Sequence, residues 1–175
     1  MRTALSLVAL TLTTLAFTAP AAHAERLRFA HRNAEGGTTR GFEAAHAGEA
    51  ASGARGHLLR TDGNGNGTVT SGAAVKTENG GVFKRAGRTT RSADGSLQHD
   101  SGFNASNSKG SVQSQGSATR DAQGDVTQSR TTTATSASTG DTLKSTTSYS
   151  KDTGLEHSVN CFDASGNAIA CPARK

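Results

Sequence analysis

From Gly67 onward a glycine in turn context returns about every fourteen residues, and the stretches between these glycines alternate apolar and polar side chains. The glycines are Gly67, Gly81, Gly95, Gly110, Gly124, Gly140, Gly154 and Gly166, at intervals of 14, 14, 15, 14, 16, 14 and 12 residues. A period this regular marks a repetitive architecture in which each unit is one supersecondary element. Alternation with period two is the signature of extended strands, because successive side chains leave opposite faces.

The alternation can be followed unit by unit. Val69, Ser71, Ala73 and Val75 fall on one side of an extended chain, as do Leu97, His99, Ser101, Phe103 and Ala105. Val112, Ser114, Gly116 and Ala118 form the next such set, followed by Val126, Gln128, Arg130, Thr132 and Ala134. Leu143, Ser145, Thr147 and Tyr149 precede the last, Leu155, His157, Val159 and Cys161. One side is thin and faintly apolar; the other is Ser, Thr and Gln. Between the sets lie Asn64-Gly65, Asn79-Gly80, Asp94-Gly95, Gln123-Gly124 and Ser165-Gly166, where a reversal needs a residue at positive φ. Subtracting the turn leaves strands of about ten residues, long for a globular protein. With one corner per period, an antiparallel β-meander of about eight strands is expected over residues 61–175, curled or packed on itself. A β-solenoid or a largely disordered chain is the alternative. Residues 25–60 carry Gly36, Gly37, Gly41, Gly48, Gly53 and Gly56 among alanines and read as an irregular or weakly extended segment.

Composition matters for what can hold such a sheet together. From Glu25 on there are 19 large apolar side chains: six Val, six Leu, one Ile, five Phe and one Tyr. That is too little to fill an ordinary core, so backbone ladders, a disulfide or self-association must contribute. Met1 to Ala24 has a basic start at Arg2, an apolar run from Ala4 to Phe17, and Ala22-His23-Ala24 after Pro20. This reads as a signal peptide cleaved after Ala24, with export to the periplasm or beyond. In that oxidising setting Cys161 and Cys171, centred on Gly166, are expected to form a disulfide across a terminal hairpin.

Removing Arg2 with the signal leaves 18 basic and 14 acidic side chains, a net charge of +4. The mild excess allows attraction to acidic polysaccharide or lipid head groups and gives no sign of specific nucleic-acid binding. Lys84, Arg85, Arg88 and Arg91, with Lys76 nearby, are the candidate anion-binding residues. Alternation sends Lys84 and Arg88 to the side opposite Arg85 and Arg91, so a solvated strand that resists edge pairing competes with that reading.

Other motifs carry less chemistry. Asp62-Gly63-Asn64-Gly65-Asn66-Gly67 opens like an EF-hand loop, but Ala73 stands where the bidentate glutamate belongs. Thr131, Thr133 and Thr135 make a hydroxyl row of the sort seen in ice-binding proteins, which strand propensity alone explains. Ser106-Asn107-Ser108-Lys109 and Ser148-Tyr149-Ser150-Lys151 match S-x-x-K without its partner motifs. Histidines lack metal-ligand spacing, so neither metal, cofactor nor enzymatic activity is expected.

The turn and repeat signals Arg91-Ser92-Ala93-Asp94-Gly95-Ser96, Gly110-Ser111-Val112-Gln113-Ser114-Gln115-Gly116 and the ending from Cys161 to Pro172 give the chain a resemblance to small secreted Gly/Ser/Thr-rich proteins of proteobacteria. The resemblance implies export and a β-repeat and assigns no activity and no site residue. The expected role is structural or adhesive, in a matrix or the cell envelope, with self-association through sheet edges. The alternative is a soluble module that binds anionic glycans or lipid head groups. A membrane-spanning barrel is disfavoured, since neither side offers a continuous apolar band.

Overall fold

A computed structural model describes residues 23–172 of the 175-residue chain. They form one eleven-stranded sheet in which every strand lies beside its sequence neighbours and all pairs are antiparallel. The strands are β1 (His23–Arg32), β2 (Thr38–Ala47), β3 (Ala51–Thr61), β4 (Gly67–Thr77), β5 (Val82–Arg91), β6 (Leu97–Asn107), β7 (Gly110–Arg120), β8 (Val126–Ser136), β9 (Thr142–Ser150), β10 (Gly154–Phe162) and β11 (Ala168–Ile169). The eight strands expected after residue 61 are β4 to β11. The signal-peptide reading lies outside the described residues except for His23 and Ala24, which pair with Ala47 and His46 at the start of β1.

The three further strands correct the irregular reading of residues 25–60, and the reason is steric. Glycines of this segment sit inside strands where a neighbour comes close. A Cβ on Gly41 would stand 2.7 Å from the carbonyl oxygen of His57, and one on Gly53 2.8 Å from that of Ala74. Both distances are below any real Cβ contact, so these positions exclude a side chain while keeping an extended backbone.

A five-residue reversal recurs at 33–37, 62–66, 77–81, 92–96, 121–125 and 163–167. In each, the fourth residue is a glycine at positive φ, from 75° at Gly80 to 95° at Gly65. At 163–167 the amide of Asp163 donates to Asn167 O and that of Gly166 to Asp163 O. Asp163 Oδ1 then accepts the amides of Ser165 and Asn167, and Asp62 Oδ1 accepts those of Asn64 and Asn66 in the same way. Asp62 is therefore a turn residue whose carboxylate is occupied by its own loop. Neighbouring loops along one rim are also tied together. Glu35 meets Arg60, Asn66 Oδ1 accepts the Ala93 amide at 2.8 Å, Gly95 O accepts from Arg120, and Asp125 pairs with Lys151 at 2.9 Å.

The sheet does not fold back on itself, since each strand contacts only its neighbours. That replaces the expected self-packing with a single layer, and it leaves almost no interior. Among the described residues only Gly37, Ser114, 1% exposed, and Cys161, 5% exposed, are buried. Cys161 is bridged to Cys171 with their Cα atoms 5.2 Å apart, which pins β11 and the last hairpin to β10. The remaining order is carried by ladder hydrogen bonds and half-covered side chains.

Candidate anion-binding face

Partners across a ladder share a face, so the pairing register assigns each strand residue to one side of the sheet. We call the side bearing Val69, Ser71, Ala73 and Val75 the front. The register places every alternating set read from the sequence on it. Ser71 leads through Gly87, Ser101, Gly116, Arg130 and Thr147 to His157, one row across seven strands.

Charge divides sharply between the two sides. Among the described residues the strand arginines on the front are Arg26, Arg28, Arg32, Arg40, Arg55, Arg85, Arg91, Arg120 and Arg130, and no strand aspartate or glutamate lies there. The back holds Glu25, Glu43, Asp100 and Glu156 beside Arg60, Lys76, Lys84, Arg88 and Lys144. The front is thus uniformly cationic and made only of guanidinium groups, while the back is mixed and close to neutral.

One row carries the arginines at regular spacing. Arg26, Ala44, Arg55, Ala73 and Arg85 are successive partners across β1 to β5. With strands about 4.8 Å apart, the arginines repeat every ~10 Å with an alanine between them. Beside this row, Phe42 stacks on His57 with ring centres 6.0 Å apart, and Phe83 lies 6.2 Å from Phe103. At the disulfide end an open groove of about 940 Å³ runs from Val75 and Phe83 to Cys161 and Ile169.

The arginines fall into two kinds. Arg130 lies flat over Gly116, donating from Nη1 to Ser114 Oγ at 2.9 Å and from Nη2 to Ser101 Oγ at 3.0 Å. A Cβ on Gly116 would meet its guanidinium at 3.1 Å, so the glycine makes room for it. By contrast, Arg26, Arg28, Arg40, Arg55, Arg85 and Arg91 have no ion pair: the only pairs among the described residues are Arg60–Glu35 and Lys151–Asp125. A planar guanidinium presents a donor fork that fits carboxylate, sulfate or phosphate oxygens two at a time.

The sequence-derived candidates are divided by this arrangement. Lys76, Lys84 and Arg88 are on the back, where Arg88 stands opposite Asp100; Arg85 and Arg91 are on the front. Arg85 joins Arg26 and Arg55 in one row, and Arg91 and Arg120 flank Leu97 in another. An irregular reading of residues 25–60 hides Arg26, Arg28, Arg40 and Arg55; the Arg26-x-Arg28 alternation is the signal the sequence offers for them. Thr131, Thr133 and Thr135 lie on the back, and their row is broken on β9 by Lys144 between Thr142 and Thr146.

The perturbed carboxylates are all in turns. Asp62 is held below the usual carboxylate range first by the Asn66 side chain, Asp163 by the Asn167 side chain, and Asp94 by Ser96. Among the described residues no group of three or more His, Cys, Asp or Glu could hold a metal ion, and no helix is long and apolar enough to cross a membrane. No protein-family model matches the chain, and no curated protein or solved structure matches it either.

Proposed function

We propose that this is an exported, non-enzymatic adhesive protein that lays its front face on an acidic polysaccharide of a matrix or cell surface. One observation carries the reading: nine strand arginines share a face that holds no strand carboxylate. Such a face attracts polyanions over its whole area and pairs with carboxylates or sulfates through guanidinium forks. The ~10 Å repeat of Arg26, Arg55 and Arg85 suits an extended polymer with one charge per disaccharide. Exposed aromatic rings on the same side, Phe83 and Tyr149, offer stacking surfaces for sugar rings. The disulfide fits the oxidising compartment that export implies.

The test is retention of the oxidised 25–175 chain on an immobilised polyuronate, with a neutral glucan and anionic phospholipid vesicles alongside. Salt-sensitive binding to the polyuronate, weakened about tenfold in the Arg55→Ser/Arg85→Ser double variant, is expected. Equal binding to the neutral glucan, or binding to vesicles alone, would overturn the proposal.

A further inference from the structure

We infer that copies of this chain join edge to edge, β10 of one copy pairing with β1 of the next, so that the sheet continues from molecule to molecule. The inference rests on the edges and does not depend on what the front face binds. A free sheet edge presents unpaired amides and carbonyls, and proteins usually blunt such edges with proline, lysine or a bulge. β1, which reads HAERLRFAHR in unbroken register, and the free part of β10, residues 154–160 reading GLEHSVN, hold no proline, lysine or bulge; charge on these edges is confined to Glu25, Arg26, Arg28, Arg32 and Glu156, whose side chains leave the faces and not the edge. β11 covers only Cys161 and Phe162, which leaves those seven residues of β10 without a strand partner on that side among the described residues.

Direction and register both suit this join. The meander alternates, so β10 runs antiparallel to β1, and a second copy laid on with its front on the same side adds one more antiparallel pair. Continuing the rows of the sheet puts His157 beside Arg28 and Asn160 beside Glu25 of the next copy. Ala24 and His23 would then fall where β11 already stands beside Cys161 and Phe162. A chain beginning at Glu25, as the signal-peptide reading expects, fills the open stretch and stops at β11.

Each edge strand leaves apolar side chains bare that the join would cover, on opposite faces of the sheet. The two most exposed large apolar residues of the sheet are Leu155 at 70%, on the front of β10, which the register sets beside Ala30, and Leu27 at 59%, on the back of β1, which it sets beside Ser158. Val159 falls beside Arg26 on the front and Phe29 beside Glu156 on the back. Pairing β1 with a second β1 would instead set Arg26 and Arg28 of the two copies against each other, and like charges opposite one another destabilise a ladder. A join between unlike edges repeats without closing and yields open-ended assemblies.

The experiment is a mixing test on the oxidised 25–175 chain, read by sedimentation velocity, with circular dichroism to verify the strand content of each variant. Wild type is expected to grow in mass continuously with concentration. Leu27→Pro/Phe29→Glu blocks the β1 edge, the new glutamate facing Glu156 of the neighbour, and Leu155→Lys/Ser158→Pro blocks the β10 edge; each alone should be monomeric. Mixed one to one, they retain one usable edge each and should form a dimer and nothing larger. Wild type that stays monomeric or stops at a closed dimer overturns the inference without recourse to the variants, and so does a mixture that remains monomeric.

Discussion

The two faces of this sheet share one backbone and one set of strands, yet they differ in almost every property that governs recognition. The front carries arginines without strand carboxylates and, among the described residues, the two buried side chains, Ser114 and Cys161. The back carries mixed charge over a floor that includes Gly56, Gly72, Ala86 and Gly102, four partners in one row. In a two-layer protein one face would be spent on a core. With a single layer both remain available, and charge rather than burial distinguishes them.

Moving a charge from one face to the other should have the largest effect. Ser71 and Thr70 are adjacent in β4 and point to opposite sides, Ser71 next to His57 on the front and Thr70 next to Leu58 on the back. Ser71→Glu sets a carboxylate among the arginines and should weaken polyuronate binding about tenfold, whereas Thr70→Glu should change it less than about twofold. Titration of both variants at matched salt checks the pair, and equal losses would erase the distinction between the faces.

A smaller contrast concerns stability. Arg130 is tied to Ser114 and Ser101, so Arg130→Ala should lower unfolding free energy by about 1–2 kcal/mol. Arg88→Ala on the back should stay within about 0.5 kcal/mol, as surface substitutions do. Urea unfolding of the two variants provides the comparison.

The smallest effect belongs to neither face. Asp62, Asp94 and Asp163 have folded-state pKa values lowered below 3.8 by hydrogen bonds within their turns. Their stabilisation is present above the unfolded-state value and is lost as pH falls through the folded-state value. The urea midpoint should therefore be flat near neutrality and decline below about pH 4, and Asp163→Asn should make that decline shallower. A decline that begins nearer neutrality, or one unchanged in Asp163→Asn, would contradict this account.

Much of this was legible in the residues alone. The sets beginning at Val69, Leu97, Val112, Val126, Leu143 and Leu155 all reached the same face because ladders of constant register preserve the parity of a strand. The disulfide followed from the symmetry of Cys161 and Cys171 about Gly166. What could not be read was which strand positions meet. Arg26, Arg55 and Arg85 are 29 and 30 residues apart in sequence, and only the register of four ladders puts them in one row. Composition misled at residues 25–60, where Gly41 and Gly53 looked like breakers and in fact permit close strand approach.

The central claim, that one face meets the polyanion, can be tested with a reagent that sees the same chemistry on both sides. Arginines would be modified with phenylglyoxal with and without polyuronate, and the modification at each site read by mass spectrometry. Protection of Arg28, Arg55 and Arg85 with Arg60 and Arg88 reacting unchanged is the predicted outcome. Protection spread equally over both faces, or concentrated on Arg60 and Arg88, would contradict it.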